Sequence, residues 1–195
     1  PLLDVQRAIR LMRKNAERFK LNPDRIGVLG FSAGGHLAAS AATLHTPQTR
    51  ELNPLAEADP LVGAFSARPD FAVLIYPVIT FTADPAHRGS ARNLLGKEAS
   101  DEQLKAFSLQ NQVTAETPPT FLVATGEDAG VPPENSVLFW YALRKQGVPA
   151  ELHVFENGPH GFGMGGPDSE ARGRKGPDWT GLCENWLRAR GVLSE

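Results

Sequence analysis

The sequence of 195 residues predicts an α/β fold, in which a parallel β-sheet carries helices on both faces. Strand-like and helix-like segments alternate along the chain, and this order produces parallel strands joined by crossover helices. The run 71–78 is apolar throughout, as expected of a strand buried on both faces. The length suits one domain with a substantial core, and we expect a single domain over 1–195.

Four strand-like runs are bounded by turn residues. They lie at 26–31, 71–78, 120–125 and 151–155. Asn22-Pro23-Asp24 separates the first run from the preceding helix, and Pro118 and Pro119 stiffen the approach to the third. Ligands of parallel sheets bind at the loops that follow the carboxyl ends of the strands. Functional residues are therefore expected in those loops.

Helices are predicted where apolar residues recur at helical spacing. They cover 3–19, 32–45, 134–146 and 179–189, with one or two short helices within 93–112. The basic residues of the first helix, which include Arg10 and Arg13, are interpreted as a solvated outer face. The irregular stretches 46–69 and 79–92, and a glycine-rich loop at 161–176, complete the pattern. A lid or acyl pocket could lie within 46–69 and 79–115.

Composition excludes several classes of partner. A net charge of −2 gives no electrostatic reason to expect nucleic acid or an anionic membrane as a partner. The single cysteine, Cys183, excludes an internal disulfide and offers no metal cluster. No apolar run is long enough to span a membrane. The chain opens at Pro1 without an initiator methionine, so a cytoplasmic and an exported location both stay open.

The segment Gly30-Phe31-Ser32-Ala33-Gly34 fits the G-x-S-x-G nucleophile elbow, and it joins a strand-like run to a helix-like run as that motif requires. Such a turn would hold Ser32 in a strained backbone conformation with its hydroxyl above the sheet. Glycine is expected at both 30 and 34 because side chains there would collide with neighbouring elements. The Ala33 N–H, at the start of the helix, is the expected oxyanion donor.

A nucleophilic serine needs a base, and histidine suits that role near neutral pH. The chain has five histidines, and His160 alone follows the last strand, in a Gly-Pro-His-Gly turn that would expose its ring. His36 is interpreted as helix packing near the site. The other three histidines, His45, His87 and His153, are interpreted as structural or solvated.

The base in turn needs a carboxylate to orient it. Glu127 and Asp128 are adjacent after the third strand, and only one of the two side chains can point at His160. We select Asp128 and keep Glu127 as the alternative. Phe31, Tyr76 and Phe162 are candidate walls of a substrate pocket, although each would serve equally as core.

Four segments, 30–38, 66–77, 131–136 and 158–162, together resemble the α/β-hydrolase superfamily. They are most similar to bacterial esterases akin to acetyl-xylan and feruloyl esterases, the endo-xylanase-like lipase/esterase proteins. The resemblance implies a serine hydrolase without cofactor or metal, acting on acetyl or hydroxycinnamoyl esters of carbohydrates through Ser32, Asp128 and His160. In that family an aspartate lies three residues before a Val-Pro pair, which supports Asp128 over Glu127.

The sequence departs from that family in one respect. Relatives carry earlier strands and a loop, often beginning His-Gly-Gly, that donates further oxyanion N–H groups. We therefore expect an α/β-hydrolase fold lacking its N-terminal strands, with the edge of the strand at 26–31 bare. We expect one of three arrangements: a longer natural protein, a second chain that supplies the missing piece, or self-association that covers the edge.

Two other functions stay open on the sequence. A prolyl-oligopeptidase-like peptidase shares the same order of serine, acid and histidine, but the gating domain of those enzymes is missing from this sequence. The other possibility is an inactive hydrolase-fold remnant or binding module that lacks a complete oxyanion hole.

Overall fold

The sheet of the computed structural model, which describes residues 1–45, 61, 64–166 and 176–194, has four parallel strands. They are β1 (Gly27–Phe31), β2 (Phe71–Ile75), β3 (Thr120–Thr125) and β4 (Ala150–Phe155). Their order across the sheet is the same as their order in sequence. The predicted fold class, a parallel sheet with helices packed on it, is confirmed.

The helices that connect and cover the strands follow the predicted order. They are α1 (Leu2–Lys14), α2 (Ala16–Phe19), α3 (Ser32–Thr43), α4 (Arg88–Leu95), α5 (Asp101–Ala106), a 3₁₀ turn (Leu109–Asn111), α6 (Glu134–Lys145) and α7 (Thr180–Ala189). In the described ranges, no helix is both long enough and apolar enough to cross a membrane.

Three predicted boundaries are wrong. The helix expected over 3–19 is divided at Asn15, whose side-chain amide donates to the Leu11 carbonyl at 2.7 Å. Helix α4 begins within the stretch 79–92 that was predicted to be irregular, because the His87 ring accepts the Ser90 N–H at 3.1 Å and caps the helix. Strand β2 ends three residues before the predicted limit, where Tyr76 takes a φ of 39°.

Most of the predicted connection 46–69 and the later part of the loop 161–176 lie outside the described residues.

The interpretation of the basic residues of the first helix as a solvated outer face is wrong for Arg10 and Arg13. Arg10 is 8% exposed. The Arg13 guanidinium lies 2.8 Å from an Asp70 carboxylate oxygen that also accepts the Ile26 N–H at 2.8 Å. Arg13 thereby joins α1 to the point where β1 and β2 begin.

Side chains alternate between the two faces of the sheet and build a hydrophobic core on each. Ala72, Leu74 and Leu122 face a cluster that includes residues of α3 and α6. Val73, Ile75, Phe121 and Val123 face a cluster that includes Trp179 and residues of α7. Both layers fix the strand ends, and with them the loops that carry the candidate site.

In the part of the chain that the structure describes, β1 lies at one edge of the sheet and pairs with β2 alone. Leu29 in this strand is 51% exposed. An unpaired strand edge is a template for another strand, which natural proteins usually cover. The expectation that a longer chain, a second chain or self-association covers this edge stays a prediction.

Candidate active site

Ser32 lies at the turn where β1 ends and α3 begins. Its φ of 53° is in the left-handed region, which costs a non-glycine residue backbone energy and is found at functional sites. A Cβ on Gly30 would lie 2.1 Å from the Gly34 carbonyl oxygen, so the turn requires glycine at 30.

The prediction that Gly34 is equally crowded is wrong, since a Cβ there would meet no atom within 4 Å. The crowded position is Gly35, where a Cβ would lie 2.7 Å from the Pro77 Cβ. Helix α3 therefore approaches the chain after β2 through Gly35, while Gly34 faces open space.

His160 connects the serine to a carboxylate. Its Nε2 lies 2.8 Å from the Ser32 hydroxyl oxygen, and its Nδ1 lies 2.7 Å from Oδ2 of Asp128. An ionised carboxylate only accepts hydrogen bonds, so Nδ1 carries the proton and the Nε2 lone pair faces the serine hydroxyl. The Asp128 side chain has no exposed surface, whereas that of His160 is 30% exposed. A substrate can thus reach the ring while the acid stays shielded from water.

The two neighbouring carboxylates after β3 have different partners. Oδ1 of Asp128 accepts the N–H groups of Gly130 at 2.9 Å and Val131 at 2.8 Å, which leaves Oδ2 for the imidazole. Glu127 is exposed, and its carboxylate accepts the Gly158 N–H at 3.0 Å. Of the two acid candidates, the structure brings Asp128 to the His160 ring, and Glu127 holds the start of the turn that carries it.

Two aromatic side chains hold the chain just after His160. The Tyr76 hydroxyl accepts the Gly163 N–H at 3.1 Å, and the Trp179 indole N–H donates to the Gly163 carbonyl at 3.0 Å. The Tyr76 ring also meets the His160 ring edge to face, with centroids 4.9 Å apart. Sequence reasoning missed this role for both residues. A buried indole N–H needs an acceptor, but the sequence does not indicate which one it finds.

Two of the candidate pocket walls are core residues. Phe162 is 0% exposed and Tyr76 is 4% exposed, so both lie in the core of this structure, and their role toward a substrate stays a prediction. Their rings pack against each other with centroids 4.6 Å apart. Phe31 is half-buried and lies against Tyr76, and its role toward a substrate stays a prediction.

His36 packs inside the protein one turn after Ser32, as predicted. Its Nε2 lies 2.9 Å from the Phe107 carbonyl oxygen, to which it donates, and its ring stacks on Phe81 with centroids 4.7 Å apart. Burial lowers the pKa of His36 to about 4, although the bond to Phe107 opposes the shift. The ring is therefore neutral at neutral pH.

The other histidines lie away from Ser32 in structural positions. Burial, assisted by the charge of Arg68, lowers the pKa of His45 to about 4. His153 on β4 contacts the Glu151 carboxylate at 2.8 Å. Among the described residues, no group of three or more His, Cys, Asp or Glu side chains is arranged to hold a metal ion.

A cavity of about 570 Å³ opens beside the elbow. It begins at Ala33 and Gly34, and its lining continues over His36 to Phe81 and Phe107. Helix α4 and the first residues of the chain close its sides. The Ala33 N–H belongs to the first turn of α3, where N–H groups have no carbonyl partner within the helix. Its role as oxyanion donor stays a prediction.

A serine at a strand-to-helix turn, with an acid and a histidine after two later parallel strands, defines the α/β-hydrolase class. Within that class, the chain belongs to the BD-FAE family, whose model matches residues 1–143. The matched range contains Ser32 and Asp128. The resemblance to acetyl-xylan esterase-like proteins is thereby confirmed.

Named relatives agree with this placement. The chain is 41% identical over 190 residues to endo-1,4-beta-xylanase B of Butyrivibrio fibrisolvens, covering 97% of this chain and 28% of that protein. It is 32% identical over 169 residues to an acetylxylan esterase of Xylanibacter ruminicola, covering 85% of this chain and 32% of that protein. The chain thus spans about a third or less of the length of these two relatives.

A solved structure is similar over the whole chain. It is the acetyl ester-xyloside bifunctional hydrolase of Caldicellulosiruptor lactoaceticus, which superposes with a TM-score of 0.84 at 44% identity. The match covers 100% of this chain and 67% of that one.

Proposed function

We propose that this chain carries the catalytic site of a serine esterase that hydrolyses carboxylic esters through an acyl-enzyme. One observation carries the proposal: a continuous pair of contacts, 2.8 Å from Ser32 to His160 and 2.7 Å from His160 to Asp128. Both distances are within the reach that proton transfer and imidazole orientation require.

In the first half of the reaction, His160 Nε2 takes the proton of the Ser32 hydroxyl as its oxygen attacks the ester carbonyl carbon. The negative charge that forms on the carbonyl oxygen is stabilised by the Ala33 N–H. The imidazolium, held by Asp128, then gives its Nε2 proton to the departing alkoxide, and the alcohol leaves. The acyl group stays on Ser32 as an ester.

In the second half, water takes the place of the alcohol. His160 accepts a proton from the water, whose oxygen attacks the acyl carbon, and the same N–H stabilises the second oxyanion. Collapse returns the proton to the Ser32 oxygen and releases a carboxylic acid. Asp128 keeps the ring in one tautomer through both halves, since its carboxylate only accepts hydrogen bonds.

The proposed substrates are acyl esters of carbohydrates, with acetyl or hydroxycinnamoyl as the acyl group. The names of two relatives support this class: one is an acetylxylan esterase, and another is an acetyl ester-xyloside bifunctional hydrolase. The partner is therefore a small ester or an acylated sugar.

The proposal is tested with p-nitrophenyl acetate and with a fluorophosphonate probe that forms an adduct with activated serine. We expect Ser32→Ala to abolish both turnover and the covalent adduct, because no other group replaces the nucleophile. Ser194→Ala, at an exposed serine, is the matched control and keeps both. Turnover that survives in Ser32→Ala removes the mechanism.

A further inference from the structure

Asn135 lies in the first turn of α6, within the segment 131–136 that carries part of the family resemblance, and it has no part in the chemistry described above. We propose that Asn135 is a positioning residue, which fixes the distance between the nucleophile turn (30–34) and the acid loop (126–133) that carries Asp128. This inference rests on the proposed esterase function and deepens it.

The buried side-chain amide of Asn135 makes all the hydrogen bonds that an amide can make. Its oxygen accepts the N–H groups of Ile79 at 2.9 Å and Thr80 at 3.1 Å. Its nitrogen donates to the carbonyls of Pro132 at 3.2 Å and Pro85 at 3.3 Å. Donors on one side and acceptors on the other fix the orientation of the amide. The side chain is therefore a rigid link between the loop after β2 and the acid loop.

The loop after β2 also holds the nucleophile. The Val78 N–H donates to the carbonyl of Ser32 at 3.1 Å, and the next two N–H groups along the chain are the two that bond Asn135. The segment 78–80 therefore joins the Ser32 backbone to Asn135. A residue such as Ser32, with a φ of 53°, keeps its strained conformation only where its surroundings hold it.

The acid loop is held on the other side of the amide. The Pro132 carbonyl, which accepts from the Asn135 side chain, also accepts the backbone N–H of Asn135 at 3.0 Å. The residue before it, Val131, donates its N–H to Oδ1 of Asp128. Asn135 thus anchors the acid loop one residue from a bond that directs Asp128 toward His160.

This link bridges the two halves of the candidate site. Ser32 follows β1 and Asp128 follows β3, and β2 separates these strands. The loop after β2 is bonded to the serine through Val78 and to the acid loop through Asn135. Without the Asn135 side chain, the Ser32 hydroxyl would be held less firmly at its distance of 2.8 Å from His160 Nε2. A misplacement of about 1 Å caused by a distant mutation can lower a rate about 100-fold.

Two substitutions of Asn135 remove different parts of the link. Asn135→Ala removes all the side-chain bonds. Asn135→Asp keeps the acceptor, and burial favours the protonated carboxyl, which can still donate to one carbonyl. The loss of kcat in Asn135→Asp should therefore be the smaller of the two. It should grow as the pH is raised, because the ionised carboxylate faces two carbonyl oxygens without a proton to donate.

Ser108→Ala is the matched control. The buried Ser108 hydroxyl accepts the N–H of Phe81 at 2.9 Å, which is the next N–H along the same loop. Its bonds to Thr82 and Leu104 lead to neither the serine nor the acid. The control therefore loosens the loop after β2 without breaking its connection to the acid loop.

The experiment measures hydrolysis of p-nitrophenyl acetate and the rate of the fluorophosphonate reaction for the parent and the three variants. Both are measured at a temperature where circular dichroism shows each protein to be folded. We expect Asn135→Ala to lower kcat and the rate of adduct formation about 10-fold to 100-fold, with a much smaller change in KM. Ser108→Ala should keep both rates within a fewfold of the parent.

The outcomes separate the positioning role from the esterase function. A folded Asn135→Ala protein with a kcat within a fewfold of the parent, an equal loss in Ser108→Ala, or a loss confined to KM overturns the positioning role and leaves the esterase function intact. If Asn135→Ala does not fold, Asn135→Asp takes its place, and a kcat that equals the parent's or a loss that is independent of pH overturns the role.

Turnover that is absent, or that survives in Ser32→Ala, removes the esterase function instead. The downfield proton NMR resonance of the His160 Nδ1–H that bonds Asp128 then tests the positioning role. Its loss in Asn135→Ala but not in Ser108→Ala supports the role, and any other pattern overturns it.

Discussion

Replacing Asp128 with asparagine tests the candidate acid with little change in shape. The Asp128 carboxylate accepts three hydrogen bonds, from the N–H groups of Gly130 and Val131 and from the His160 ring. An asparagine carbonyl oxygen can keep the two backbone bonds, and its NH₂ then faces Nδ1. Nδ1 must become the acceptor, so the ring proton moves to Nε2 and points at Ser32. The serine then has no base.

A ring held in the wrong tautomer lowers kcat about 10⁴-fold, which corresponds to about 5.5 kcal/mol of transition-state stabilisation. The assay is steady-state hydrolysis of a p-nitrophenyl ester at pH 7, with circular dichroism to verify folding. Glu127→Gln is the control, since an amide oxygen can still accept the Gly158 N–H, and its kcat should stay within a fewfold of the parent protein. The reasoning is refuted by a folded Asp128→Asn protein that keeps a tenth of the parent kcat, or by an equal loss in Glu127→Gln.

Two further predictions concern the surroundings of the site. Tyr76→Phe removes the acceptor of the Gly163 N–H and should lower the free energy of unfolding by about 1 kcal/mol. Because the turn after His160 is then held less firmly, kcat should fall by a larger factor than KM changes. Denaturant titration measures the free energy of unfolding, and steady-state kinetics measure kcat and KM. An unchanged kcat would show that the Tyr76 hydroxyl has a purely structural role. The pKa of His36 is lowered to about 4 in the folded protein against 6.5 when unfolded, so the unfolded chain binds the extra proton. The contribution of His36 to the free energy of unfolding is thus constant above pH 6.5 and falls as the pH is lowered from 6.5 to 4. His45, whose pKa is also lowered to about 4, adds to the same slope, and His36→Gln should reduce that slope relative to the parent.

Local sequence signals predicted the sheet and the approach of Ser32, His160 and Asp128. Each of the three residues follows a strand-like run, and parallel strands end at one edge of a sheet. The parallel topology therefore brings the three loops together, and the residue types of Ser32, His160 and Asp128 suit the roles of nucleophile, base and acid. The same argument does not choose between Glu127 and Asp128, because both follow β3. The choice depends on which of the two side chains the turn directs toward His160.

The errors near the site have a different cause, since they depend on contacts between residues far apart in the chain, whereas the divided first helix and the early start of α4 come from local contacts of Asn15 and His87. Gly35, and not Gly34, is the crowded glycine because Pro77 lies against it, and nothing near residue 34 in sequence indicates that neighbour. Tyr76 contacts Gly163 across 87 positions, so its burial could not be read from its own segment. The cavity beside Ala33 likewise combines residues from α3, α4 and the chain between them.

The adjacent bonds of Glu127 to Gly158 and of Asp128 to His160 tie the loops after β3 and β4 together at two points. Those strands are neighbours in the sheet, whereas Ser32 follows β1, on the other side of β2. Bending or shear of the sheet between β2 and β3 would carry acid and imidazole along as one unit and change chiefly their spacing from the serine. The proton must cross that spacing, so a substitution that stiffens the pairing of β2 with β3 is expected to preserve the contact between Ser32 and His160 at higher temperature.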